Sequence, residues 1–354
     1  MSRPVHPSQD GAAGGGHIVD GPIVIGLVNN MSPRAMRTTE RQFRELLAAA
    51  PCRRPVRLEL FTLHDDGRLG PTQNGAQEGA REGYGSIEDL RASRLDGMIV
   101  TGMEPVAPTL PEEPAWPNLT RLVDWAVQHG IPTVWSCLAA HAAVLHLDGI
   151  ARVKLPRKLS GLFECTLAPT GHPLAAGCPA HWRCPHSRHN GLPEAALRAG
   201  GYDILSASTE AGVDMFVRDV AGAASGDGAA PFLFCQGHPE YGPDVLMREY
   251  VRDLKRYLDG DSATLPDVPA HYLDRQAEQQ LRRARDGARP GHGDGVLAAT
   301  QAIARSVAFT HGWQSVASDI YGNWLASVAA GGASADAACG ASASADAHRP
   351  ALAA

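Results

Sequence analysis

Two short stretches of the sequence carry side chains that together could perform nucleophilic catalysis. Cys137 lies in the first stretch, and His238 and Glu240 lie in the second. A cysteine nucleophile needs a base to take its proton, and the base needs a third group that fixes its tautomer. Taken alone, Cys137 also fits a small buried hydrophobic residue, and a His and a Glu two residues apart also fit an ordinary surface turn. Their joint occurrence favours catalysis by a thiolate.

The local pattern predicts how Cys137 is presented. Residues 131–136 have the character of a short buried strand, and residues 138–147, rich in Ala and Leu, have that of a helix. Cys137 therefore lies at a strand-to-helix turn, which lifts a nucleophile clear of its sheet. Unpaired N–H groups and the helix dipole at such a point favour a thiolate and offer donors to an oxyanion. The backbone N–H of Leu138 is one candidate donor.

Composition excludes several classes of protein. The 354 residues include 44% hydrophobic and 20% charged residues, which is normal for a soluble globular protein. A net charge of −6 and scattered arginines do not indicate the clustered positive charge that nucleic-acid binding requires. No apolar run approaches the roughly 18 to 20 residues that cross a bilayer. Seven cysteines without a C-x-x-C pair, and no secretory signal, predict reduced thiols in a cytoplasmic protein.

Two cysteines and two histidines that lie close together in the sequence are candidate zinc ligands. Cys178, His181, Cys184 and His186 match no standard zinc-finger spacing, so the sequence predicts no metal site.

Strand and helix signals alternate along the interior of the chain. Apolar runs at residues 23–28, 56–63 and 97–102 precede the strand that leads to Cys137. This alternation predicts a doubly wound, mostly parallel α/β sheet, whose ligands bind at the carboxyl ends of the strands. Cys137, Glu104 and His238 all follow predicted strands, so we expect them to converge.

The chain is predicted to divide into four segments. Residues 1–20 form a disordered leader, and residues 21–262 form the α/β domain. Residues 263–328 form a C-terminal helical extension that packs on the core, because its aromatic side chains need burial. Residues 329–354, composed mostly of Ala, Gly, Ser and Asp, form a disordered tail.

Five motifs occur in an order and spacing typical of one family. They are Trp135-Ser-Cys-Leu-Ala-Ala140, Lys158-Leu-Ser-Gly161, Pro185-His-Ser-Arg188, Gly237-His-Pro-Glu-Tyr241 and Gly322-Asn-Trp-Leu325. Over roughly residues 20–328 the chain resembles the homoserine O-acyltransferases, also called homoserine transsuccinylases. The resemblance implies a fold like the class I glutamine amidotransferases, which is flavodoxin-like.

The resemblance also implies a reaction. Cys137 would take an acyl group from acyl-CoA as a thioester, and His238 would deprotonate first Cys137 and later the hydroxyl of L-homoserine. Glu240 would orient His238. Acyl-CoA is then a co-substrate, no metal or bound cofactor is needed, and the product enters methionine biosynthesis. A homodimer is typical of the family.

Further residues correspond to the family's substrate-binding positions. Lys158, Ser187 and Arg252 match contacts with the amino-acid substrate, and the forked guanidinium of Arg252 suits a carboxylate. Arg188 and Glu249 are neighbouring candidates, with Glu249 as a partner for the substrate ammonium. A solvated helix face is the alternative interpretation for Arg252 and Glu249.

The loop at residues 101–106 bears on the choice of acyl group. In the family, Glu at the position of Val106 accompanies acetyl donors and Gly accompanies succinyl donors; Val106 is neither. Glu104 is a second side chain that could reach the acyl pocket. A carboxylate and a branched side chain would disfavour the second carboxylate of succinate by charge and by volume, which favours acetyl. The usual naming of such chains favours succinyl.

Departures from the family pattern leave other functions open. Leu138 replaces a Trp, His141 replaces a Gln, and Arg34 or Arg37 stands where the family carries lysines. O-acylation of serine or a related amino acid is therefore one alternative. A glutamine amidotransferase-like amidase is another, although its Gly-x-Cys-x-Gly elbow is absent. A catalytically silent binding protein is a third, which the intact set of catalytic residue types disfavours.

Overall fold

The strands of the protein form one nine-stranded sheet in a computed structural model that describes residues 21–64, 83–168, 171–221, 229–291, 293–309 and 312–346. The strands are β1 (Ile23–Val28), β2 (Val56–Phe61), β3 (Gly97–Val100), β4 (Thr133–Ser136), β5 (Val153–Leu167), β6 (His181–Gly191), β7 (Asp203–Ser208), β8 (Gly212–Ala221) and β9 (Ala229–Cys235). Their order across the sheet is β2-β1-β3-β4-β9-β8-β7-β5-β6. The predicted leader at residues 1–20 lies outside the described residues.

The first five strands in this order are parallel. β1 pairs with β2 and β3, and β4 pairs with β3 and β9, all in parallel register. β3 and β4 are buried at every position, as continuous apolar runs predict for strands covered on both faces. The register sets Ser136, the last residue of β4, beside Cys235, the last residue of β9. The residues that follow these two strands are therefore neighbours.

Helices cover both faces of the sheet, which confirms the predicted α/β class. The described helices are α1 (Pro33–Ala49), α2 (Ile87–Ala92), α3 (Trp116–His129), α4 (Leu138–Asp148), α5 (Glu194–Ala199), α6 (Val245–Leu258), α7 (Arg275–Asp286), α8 (Asp294–Ser306) and α9 (Gln314–Asp346). One buried cluster joins α1, α6 and α9 through residues such as Phe43, Leu254 and Trp324. A second cluster joins α2, α3 and α4 on the opposite face.

An antiparallel extension completes the sheet beyond β9. β8, β7, β5 and β6 pair antiparallel in that order, and β5 and β6 are long. In β5 only Gly161, Leu162, Phe163 and Cys165 are buried, and the rest of the strand is partly or fully exposed. Such a strand carries no long apolar run, so apolar runs in the sequence do not indicate it.

The C-terminal extension consists of helices, as predicted. Trp313, Tyr321 and Trp324 are buried in the same cluster as Phe43 of α1, so this part shares the core of the sheet. The last helix, α9, continues through residues 329–346, which the sequence pattern assigned to a disordered tail. Alanine is the strongest helix former, and it dominates this stretch although large apolar residues are absent. Residues 347–354 lie outside the described part.

Within the described residues, none of the helices is both long enough and apolar enough to cross a membrane.

Candidate active site

Cys137 occupies a strained turn between β4 and α4. Its backbone has φ 51° and ψ −113°, although it is not glycine. A non-glycine residue in such a conformation costs of order 1–3 kcal/mol and persists only where the surroundings hold it. The backbone N–H of Cys137 donates to the carbonyl of Cys235 at 2.7 Å, which ties the turn to the end of β9. The side chain is only partly buried, so a ligand can reach its sulfur.

His238 lies in the turn that follows β9, with both of its predicted partners. Its Nδ1 lies 2.9 Å from Oε1 of Glu240, and the Cys137 sulfur is close enough to interact electrostatically with its ring. Because Nδ1 faces the carboxylate, Nε2 is the atom left for the sulfur. The structure thus brings the three predicted catalytic residues together in the order nucleophile, base and orienting carboxylate.

The charge on His238 is controlled by its neighbours. Burial alone lowers the pKa of a histidine, but the Glu240 carboxylate and the Cys137 sulfur outweigh it and raise the pKa of His238 well above its ordinary value. The other oxygen of Glu240, Oε2, is buried without a hydrogen-bond partner among the described residues. The arrangement favours an imidazolium next to an electron-rich sulfur.

A buried polar cluster supports the His238 turn from behind. Asp214 is fully buried, accepts a hydrogen bond from Ser206 at 2.7 Å and lies 3.3 Å from Nε2 of His186. A Cβ on Gly237 would lie 2.5 Å from Oδ1 of Asp214 and 2.6 Å from Sγ of Cys184. Only glycine lets the backbone pass this close, so the cluster determines where the turn can run.

The same cluster holds the described side chains best placed for a metal ion. Ligand atoms of Cys165, His186 and Asp214 all lie within 4.8 Å of one another. Although burial raises the pKa of Asp214, the neighbouring His186, the hydrogen bond from Ser206 and the nearby Cys184 outweigh this and lower it. Cys184 and His186, two of the four candidate zinc ligands in the sequence, thus lie beside one buried carboxylate.

Arg188 lies inside the protein and not at an open surface. Its Nη1 donates to the carbonyl of Asn190 at 2.6 Å, and its Nη2 donates to the carbonyl of Ala211. Its Nε lies 3.4 Å from Nδ1 of His186. These contacts use the guanidinium to brace β6, although the sequence placed Arg188 among residues near the substrate.

Glu249 of α6 connects several of the predicted substrate-binding residues. Its carboxylate accepts hydrogen bonds from Tyr241 at 2.8 Å and from Ser187, and it lies 3.7 Å from Nζ of Lys158. The Tyr241 ring stacks on that of His238. Tyr241 therefore links the Glu249 carboxylate to His238, the predicted base.

Arg252 and Lys158 share a partner that sequence patterns did not single out. Lys158 donates to Asp253 at 2.7 Å, and Nε of Arg252 lies 2.8 Å from the other oxygen of Asp253. The Arg252 side chain is 46% exposed, so part of it faces solvent. The alternative of a fully solvated helix face is wrong for Glu249, whose side chain is only 16% exposed.

Glu104 and Val106, the predicted acyl-specificity residues, differ in their contacts. Glu104 forms an ion pair with Arg256 at 2.6 Å, so its charge is matched by a cation. Val106 is 77% exposed, while its backbone N–H and that of Ala107 donate to the buried carboxylate of Glu113. The charge argument that set Glu104 against a succinyl group is weakened by this ion pair.

The remaining departures from the family pattern lie in different surroundings. His141 is buried against Gln236 at 2.9 Å, and burial lowers the pKa of His141 to about 3, so this ring is neutral. Leu138 is buried at the start of α4. Arg34 and Arg37 are both exposed on α1, and Arg37 lies 3.7 Å from Glu40.

Comparison with known proteins adds independent information. The family model for homoserine O-succinyltransferase matches residues 17–331. A homoserine O-succinyltransferase of Methylorubrum extorquens is 44% identical over 304 residues, covering 86% of each chain, and one of Rhodopseudomonas palustris is 42% identical over 307 residues, covering 87% of this chain and 88% of its own. Among solved structures, a glutamine amidotransferase of Methylobacillus flagellatus has a TM-score of 0.45 and 13% identity, covering 86% of this chain and 94% of its own.

Proposed function

The chain belongs to the homoserine O-succinyltransferase family, and we propose that it transfers an acyl group from acyl-CoA to the hydroxyl of L-homoserine through a thioester on Cys137. Homoserine O-acylation is a step of methionine biosynthesis. The observation that carries the mechanism is the linked set of Cys137, His238 and Glu240 on the strained turn after β4.

In the first half-reaction the Cys137 thiolate attacks the carbonyl carbon of acyl-CoA. A new C–S bond forms, and the carbonyl oxygen becomes an oxyanion to which the backbone N–H of Leu138 can donate a hydrogen bond. The CoA sulfur then leaves and takes the proton held by the His238 imidazolium. The raised pKa of His238 supports a mechanism in which the thiolate attacks first and the imidazolium then protonates the leaving CoA sulfur, because the ring carries the proton that the leaving thiolate needs.

In the second half-reaction neutral His238 removes the proton from the homoserine hydroxyl. The oxygen attacks the enzyme thioester, the C–S bond breaks, and Cys137 leaves as a thiolate that the imidazolium stabilises. Glu240 faces Nδ1 throughout and so keeps Nε2 directed at the reacting atoms. One base thus serves both halves of a ping-pong reaction.

The acceptor is proposed to bind between α6 and β6. Its carboxylate would pair with the partly exposed Arg252, assisted by Lys158, and its ammonium would pair with Glu249. This orientation directs the side-chain hydroxyl toward His238, since Tyr241 connects Glu249 to the imidazole. Ser187, which donates to Glu249, would help hold that carboxylate.

We propose succinyl-CoA as the donor, because the family and the most similar relatives reported above carry that name. Glu104 should repel the second carboxylate of succinate only weakly, since Arg256 already forms an ion pair with Glu104. Acetyl-CoA is the second candidate, because Val106 has neither of the two side chains that accompany each donor in the family.

Intact-mass measurement of the purified protein tests the proposal. Separate exposure to succinyl-CoA and acetyl-CoA should give a hydroxylamine-sensitive mass gain that Cys137→Ala does not show. Added homoserine should discharge this adduct, and serine should not. Discharge of the adduct by serine and not by homoserine would identify serine as the acceptor. The absence of an adduct from both donors would overturn the thioester mechanism and favour the amidase alternative.

A further inference from the structure

Two arginines interact electrostatically with the Cys137 sulfur, and they differ in what else they contact. Arg188 makes hydrogen bonds with its own chain through each of its nitrogen atoms. Arg152 also interacts with Cys137, but it forms no hydrogen bond and no ion pair with any described residue. Its guanidinium is the one of the two that is available to a ligand.

The position of Arg152 follows from the end of α4. The helix ends at Gly149, whose φ of 68° reverses the chain, and β5 begins at Val153 opposite Gly191 of β6. Arg152 lies between these points and is half-buried. Its charge also acts on His141, which donates its backbone N–H to the carbonyl of Cys137. Leu192, next to Gly191, donates its backbone N–H to Gln236, and the same Gln236 oxygen lies 2.9 Å from His141, so the start of β5 lies near the first turn of α4.

Arg152 is also attracted by Glu113, with which it forms no ion pair. The Glu113 carboxylate accepts the backbone N–H groups of Val106 and Ala107 at 3.1 Å each. Arg152 is thus in range of two features at once. One is the nucleophile that would carry the acyl group, and the other is the loop whose side chain at position 106 is expected to affect acyl choice.

A guanidinium in this setting favours an anionic ligand. Removing part of its water costs free energy, and no carboxylate of the described residues forms an ion pair with it. Burial lowers the pKa of Arg152, with Glu113 and Cys137 acting in the opposite direction, and the group stays charged because an arginine pKa starts far above neutrality. A carboxylate brought in by a substrate would supply the missing partner through a forked pair of hydrogen bonds.

We propose that Arg152 binds the distal carboxylate of a dicarboxylic acyl group, and that it thereby selects succinyl-CoA over acetyl-CoA. This inference rests on the proposed function and names the donor for it. In a succinyl thioester, two methylene groups separate the carboxylate from the carbon bonded to Cys137. A cation near the sulfur, but not in contact with it, suits a chain of that length. Acetyl has no group for Arg152 to hold.

The test compares donors in single-turnover acylation followed by intact mass. Arg152→Gln keeps much of the side-chain volume and removes the charge, and Arg152→Lys retains the charge without the fork. Arg157→Gln is the matched control, since Arg157 lies close by in the sequence on β5, is 81% exposed and pairs with Asp267. The ratio of the succinyl rate to the acetyl rate should fall about 10- to 100-fold in Arg152→Gln, less in Arg152→Lys, and not in Arg157→Gln.

Each other outcome has a distinct meaning. An equal loss with both donors, accompanied by slower alkylation of Cys137 by iodoacetamide, would overturn the inference, because Arg152 would then act on the thiolate. An unchanged ratio would also overturn it, as would a wild-type protein acylated only by acetyl-CoA. In these cases the thioester mechanism stands. A wild-type protein that forms no adduct with either donor would instead overturn the proposed function.

Discussion

The ring of Tyr241 lies stacked on the imidazole of His238, with ring centroids 4.1 Å apart and planes inclined by 17°. The hydroxyl of the same tyrosine donates to Glu249 at 2.8 Å. One side chain therefore connects the predicted base to the carboxylate proposed to hold the substrate ammonium. Because these residues lie in the turn after β9 and on α6, a single local segment sets both the proton transfer and the position of the acceptor.

Cys137→Ala should abolish acyl transfer, with turnover reduced by about 10⁴-fold or more, because the proposed thioester forms on its sulfur. His238→Ala should slow adduct formation strongly, since the thiol loses its base. Rates of CoA release, followed with a thiol reagent, measure both effects. Cys52→Ala is the matched control, because Cys52 is exposed and far from the site in sequence. Normal turnover in Cys137→Ala would sink the mechanism.

Glu240→Gln should move the acid limb of the second half-reaction to lower pH. The base must be neutral to accept the homoserine proton, and Glu240 raises the pKa of His238, so its removal lets the ring lose its proton at lower pH. The measurement is the pH dependence of homoserine-induced discharge of the preformed acyl-enzyme. In that species Cys137 is already acylated and does not titrate. An acid limb that stays in place would mean that another group acts as the base.

Glu249→Gln should raise KM for homoserine about 10- to 100-fold and leave acyl-enzyme formation nearly unchanged. Its charge is proposed to pair with the substrate ammonium, and a charged hydrogen bond is worth about 1.5–3 kcal/mol. Steady-state kinetics against homoserine and single-turnover acylation separate the two effects. Glu278→Gln serves as the control, since that residue pairs with Arg282 on α7. A loss of acylation equal to the loss in KM would assign Glu249 a different role.

Gly237→Ala should destabilise the protein by about 1–3 kcal/mol and lower activity. The added Cβ would lie 2.5 Å from Asp214 and 2.6 Å from Cys184, and close-packed surroundings resist such an insertion. Thermal denaturation measures the change. Gly295→Ala on α8 is the matched control, because its Cβ would meet nothing within 4 Å and alanine favours a helix. Equal stability of the two variants would show that Asp214 and Cys184 can shift to accommodate the added Cβ at little cost in free energy.

Trp324→Ala should destabilise the protein by about 3–5 kcal/mol, because this side chain is fully buried between α9 and the sheet. Chemical denaturation monitored by circular dichroism measures the effect. Ser327→Ala, one turn further along α9, removes only a hydroxyl that donates within the helix. A small effect at Trp324 would mean that the C-terminal extension adds little to the core.

Local features of the chain were readable without the structure. The strand predicted over residues 131–136 and the helix over 138–147 correspond to β4 (Thr133–Ser136) and α4 (Leu138–Asp148), with Cys137 between them. His238 and Glu240 are two residues apart, so almost any turn keeps them close. Continuous apolar runs and short spacings are properties of neighbouring residues, and for that reason the sequence alone indicates them.

Contacts between distant parts of the chain were decided only by the tertiary structure. Glu104 meets Arg256, and Lys158 meets Asp253, although long stretches of sequence separate each pair. No periodicity encodes such pairs, because each depends on the sheet order that brings β3 and β5 near α6. Long-range packing likewise buried Arg188, which the sequence had placed among residues near the substrate, and left Arg152 without a hydrogen bond or ion pair among the described residues.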